Sequence, residues 1–121
     1  MSKEILELIE NVDPSDTDTL DEIDGLFWGY YYKEGCQQSK GGRPTRSRDA
    51  LKSIRPEGWQ YRLEHDFGSD CFLFTMTKWG ARCVPKKYID GQWDISKPIK
   101  TEELAELHAI IQAIEWERKS K

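Results

Sequence analysis

With 121 residues, 12% aromatic content and a net charge of −4, the chain has the size of one domain and carries too many aromatic side chains, five Trp among them, for a disordered polyelectrolyte. No apolar run approaches the roughly 18 residues of a membrane span, and MSKEILELIENVDPSD has no basic start followed by an apolar core, so neither an anchor nor a secretory signal is expected. Cys36, Cys71 and Cys83 are an odd number at unpatterned spacing, which suits free thiols in a reducing cytosol.

In chain order, Ser2 opens a predicted helix of about ten residues, with Ile5, Leu8, Ile9 and Val12 at helical spacing. The stretch DPSDT at 13–17 ends it. A second helix is expected from Thr19, whose hydroxyl forms a capping box with Glu22, and Leu20, Ile23, Leu26 and Phe27 make its apolar stripe. Its end is open, because FWGYYY also reads as a strand and Gly25 and Gly29 weaken a helix. Residues 33–44 read as a loop. Ser47 then caps a short helix with Ala50, Leu51 and Ile54 inward, and Arg55-Pro56 stops it, since the residue before proline avoids the helical region. Arg55-Pro56-Glu57-Gly58 suits a type I turn.

From Trp59 the period becomes two, with Trp59, Tyr61, Leu63 and His65 on one side of a half-buried strand. FGSD turns the chain into a second strand over Cys71–Lys78, with Phe72, Phe74 and Met76 on one face. A third strand is expected from Arg82 to Ile89, demoted toward an edge by Pro85, and Asp90-Gly91 turns it back through Gln92-Trp93. Thr101 caps a long last helix to about Lys119, with Leu104, Leu107, His108, Ile111 and Ile114 on its inward face. Glu102 and Glu103 at its start and Arg118 and Lys119 at its end match the helix dipole. These elements predict an α+β fold in one domain over 1–121: an antiparallel β-sheet of three to four strands packed with helices, ending in a long C-terminal helix. Residues 1–18 form an acidic N-terminal helix and linker, and 19–119 a sandwich-like body.

Charge is unevenly spread. Residues 1–25 hold nine acids against one lysine, residues 26–62 eight bases against three acids, and the rest is nearly balanced. Such a head and middle attract each other or mark two surfaces for different partners. The basic set is Lys40, Arg43, Arg46 and Arg48, beside a helix start whose free N–H groups add to the pull on phosphate or an acidic protein surface. The aromatics at 27–32 would stack on bases there. The acidic set is Asp13, Asp16, Asp18, Asp21, Glu22 and Asp24. Carboxylates in such a crowd imitate nucleic-acid phosphates, or cap helix starts.

Other chemistries find little purchase. There is no CxxC, HxxxH or HExxH to hold zinc. DPSDTDTLDEID has Asp18 where a calcium loop needs its glycine. GCQQSKGGR has the order of a phosphate loop wrong. A Cys–His nucleophile pair, from Cys71 or Cys83 with His65 or His108, is the trailing alternative, because buried strand cysteines are usually inert. No cofactor and no catalytic residue is assigned.

Residues PTRSRDALKSIRPEGW resemble a segment of the phage ABA sandwich family of small phage and prophage proteins. The likeness is carried by Thr45, Ser47, Asp49, Ala50, Pro56, Glu57, Gly58 and Trp59, with LDEIDGLFWGYY and TEELAELHAIIQAI resembling the family's opening and closing helices over roughly 19–116. The resemblance implies helices on a β-sheet and a phage or prophage origin, and it supplies no catalytic residues. The family's biochemical role is generally unassigned; the acidic head, by analogy with phage proteins whose carboxylates imitate nucleic-acid phosphates, leads to the expectation of a non-catalytic accessory protein in the cytoplasm of a bacterial host cell, binding a host or phage protein complex, with inhibition of a host defence complex as its leading form. Direct nucleic-acid or nucleotide binding through residues 40–48 is the alternative, and no membrane contact is expected. The arginines of the loop are spare to the fold on this reading, so their removal should leave stability nearly untouched.

Overall fold

The computed structural model describes residues 2–33, 42–66, 71–78, 81–83, 88–89, 92–93 and 99–119. Helix α1 (Ser2–Asn11) buries Ile5 and Ile9 and packs Leu8 and Val12 at the edge of the core, as its spacing predicts. An Asp13 turn follows, its carboxylate accepting from the backbone N–H and hydroxyl of Ser15. Helix α2 (Thr17–Lys33) starts two residues before the expected capping box. The cap is Asp16, which accepts from the Thr19 N–H at 3.2 Å and the Thr19 hydroxyl at 2.6 Å. FWGYYY stays helical, because Phe27, Tyr30 and Tyr31 continue the buried stripe of Leu20 and Ile23.

The arginine segment folds as read. In α3 (Arg48–Ile54) the Ser47 hydroxyl accepts from the Ala50 N–H, and Ala50, Leu51 and Ile54 are buried. The turn after it sits one residue later than expected. Gly58 has φ +85°, the sign that the third place of a type II turn demands, so the turn centres on Glu57-Gly58. Trp59 is buried by it.

The expected platform, an antiparallel β-sheet of three to four strands packed with helices, is corrected. Of the residues described to the side chain, 66% are helical and 8% are in strand, so four helices dominate and a three-to-four-strand sheet is not the frame of the fold. Among the described residues, the buried apolar side chains other than Pro44, Trp59, Met76 and Ile99 sit on helices, so helices supply most of the described core, with the strand Cys71–Lys78 also packed on the last helix. The alternation at 59–66 marks extended chain, which forms β1 (Gln60–Asp66). Beyond Leu63 the strands are described mainly by backbone pairing. β1 (Gln60–Asp66) runs antiparallel to β2 (Cys71–Lys78), with Leu63 opposite Phe74, and β2 to β3 (Ala81–Cys83). Of the strand expected over 82–89, the described residues fall in β3 and in a pair, β4 (Tyr88–Ile89) with β5 (Gln92–Trp93), and residues 84–87 lie outside the described residues. Tyr61, expected inward, is exposed and lies over the Arg55 guanidinium at 4.0 Å. The turns expected at 67–70 and 90–91 lie outside the described residues.

Helix α4 (Glu102–Lys119) is the axis of the core. Thr101 caps it as expected, accepting from the Leu104 N–H at 3.2 Å. The sequence suggests one inward face, yet every residue from Leu104 to Ile111 is buried. Eight consecutive residues exceed two turns and therefore cover the whole circumference. The leucines and isoleucines fill one side, and Ala105, Ala109 and Ala113, also buried, line the other. Short alanine side chains let a neighbour approach the helix closely, and α1, α3, β2 and β3 all touch it. No helix among the described residues is long and apolar enough to cross a membrane.

Candidate interaction surfaces

The acidic head and the basic loop meet. Residues 43–47 form a tight turn in which the Arg43 carbonyl accepts from the Arg46 and Ser47 N–H groups. The turn is anchored from both sides. Trp28 Nε1 donates to the Gly42 carbonyl at 3.1 Å, and Asp24 accepts from the Thr45 N–H at 3.0 Å and the Thr45 hydroxyl at 2.9 Å. Gly42 holds φ +83°, and a Cβ there would stand 3.1 Å from that of Ala50, so only glycine fits without strain. Asp24 and Thr45 are both buried, and buried polar groups of this kind must bond each other.

This turn presents Arg46 to α2. Its guanidinium binds Asp21 and, at 3.0 Å, Asp24. Arg43 reaches Asp21 at 3.8 Å, and Arg48 pairs with Glu102 at the start of α4. The Arg46 hydrogen bond holds the Asp21 carboxyl below the usual carboxylate range, and the same bond raises the Arg46 pKa. Three guanidiniums thus meet three carboxylates. The small depression beside Arg46, about 140 Å³, is bounded by Leu20, Thr45, Thr101 and Glu103 among others, so acid lines it too.

The expectation that these arginines are spare to the fold is therefore corrected for Arg46, which satisfies a buried carboxylate. Arg46→Ala should destabilise the protein by about 1–2 kcal/mol, the usual 1.5–3 for a hydrogen bond to a charged group reduced because Arg46 keeps 28% of its side chain in water. Arg43→Ala, at a pair exposed on both sides, should stay within about 0.5 kcal/mol. Urea denaturation of the two variants beside the parent checks both.

The remaining acids divide by role. Asp13 and Asp16 are helix-end carboxylates, each with its pKa lowered, Asp13 chiefly by the Ser15 N–H and Asp16 chiefly by the Thr19 hydroxyl. Asp18 and Glu22 are exposed, and no ion pair engages them among the described residues. Glu4 and Glu7 on α1 are exposed as well, without ion pairs among the described residues. Lys40 lies outside the described residues.

Two polar pairs that pattern reading missed lie deeper. Glu106, 2% exposed, accepts from Arg55 Nε at 2.6 Å, and this bond raises the Arg55 pKa. His108, expected as a hydrogen-bonded core histidine, is fully buried with Nε2 3.0 Å from Glu10 Oε2. Trp59 Nε1 donates to Glu117 at 3.0 Å, its ring edge-on to Trp116, which docks the turn at 56–59 on the end of α4. Only the capped start of α4 and the inward spacing of His108 hint at these contacts in the sequence. Among the described residues no three His, Cys, Asp or Glu side chains converge to hold a metal ion. The side chains of Cys71, Cys83 and His65, members of the trailing nucleophile reading, lie outside the described residues. No protein-family model, curated protein or solved structure matches the chain.

Proposed function

We propose that the chain is a small non-catalytic accessory protein of phage type that acts by binding a macromolecule, and that its binding surface is the acidic face of α1 and α2. One observation carries the reading. Glu4, Glu7, Asp18 and Glu22 stand exposed without ion pairs among the described residues, whereas Arg43, Arg46 and Arg48 are already matched by carboxylates of the same chain. Nucleic-acid affinity grows with the number of phosphates a protein neutralises, and arginines spent on Asp21, Asp24 and Glu102 have little left for that work. The surface instead complements a basic one, the kind a nucleic-acid-binding protein complex of a bacterial host offers. Inhibition of a host defence complex in the host cytoplasm is the form that the phage resemblance of residues 45–59 favours.

The test is a pair of measurements on the whole protein. Immobilised protein should retain a defined set of host proteins at low salt. A variant carrying Glu4→Gln, Glu7→Gln, Asp18→Asn and Glu22→Gln, with its melting temperature unchanged, should lose them by about tenfold or more in recovery. In a gel shift at low salt, neither single- nor double-stranded DNA should move with the parent protein. Equal recovery by the neutral variant contradicts the proposal. A DNA shift that weakens with salt and disappears in Arg43→Ala transfers the function to the arginine loop.

A further inference from the structure

We draw no further inference here: the strongest candidate, the solvent-facing Gly25 and Gly29 of α2 beside the exposed Tyr32, is a small-residue stripe on one helix face, and nothing in the structure shows what covers it.

Discussion

Arg55→Ala should cost about 2–4 kcal/mol of stability, read as a fall in the urea midpoint at unchanged slope. The cause is the carboxylate left behind. Glu106 lies on the axis helix at 2% exposure, and the Arg55 guanidinium is the cation that holds it there. Breaking a fully buried pair by removing one member costs roughly 3–5 kcal/mol, and the 14% of Arg55 that stays in contact with water lowers the figure somewhat. The truncation also uncovers Tyr61, whose ring stacks on the guanidinium. The pair itself is not required to be stabilising, since two charges leave water to form it. Arg55→Met combined with Glu106→Leu should therefore recover most of the loss. A double variant as unstable as Arg55→Ala alone would place the cost in packing rather than in the stranded charge.

Leu107→Ala should cost about 2–5 kcal/mol by the same measurement. Leu107 is fully buried, and α4 is held on several sides by α1, α3 and the strands. A site enclosed by separate elements collapses poorly around a cavity, which puts the expected loss in the upper part of the range. A change below about 1 kcal/mol would mean that the side chain sits at an edge able to close over the gap.

Both predictions turn on contacts of very different sequence separation, and that difference decides what the sequence reveals. Ser47 to Ile54 is legible because its determinants are neighbours, a hydroxyl capping an N–H three residues on and a proline ending a helix, whereas the left-handed Gly58 shifts the following turn by one residue from its expected place. The start of α4 is legible for the same reason. The surroundings of α4 are not. Glu106 finds Arg55 across 51 positions and His108 finds Glu10 across 98, so nothing beside either residue announces that it will be buried. Alanine is equally silent, since Ala105, Ala109 and Ala113 look alike whether they face water or a closely packed neighbour. The period-two pattern after Trp59 was legible as extended chain, but a pattern gives direction without weight, and among the residues described to the side chain helices prevail. At the surface, the opposite charges of head and loop suggested attraction. What the sequence left open is the pairing, which Asp24 fixes by holding the Thr45 N–H and hydroxyl and so aiming Arg46.

The core is built on a last helix enclosed on every side over Leu104–Ile111, and Ala109→Leu tests that enclosure most directly. Ala109 is fully buried on the side of α4 opposite the leucine and isoleucine stripe. Equilibrium unfolding of Ala109→Leu should show a loss of about 1–3 kcal/mol from overpacking against the neighbouring element. On a helix with one inward face the added leucine would lie in water, and stability equal to or above that of the parent protein would contradict the enclosed axis.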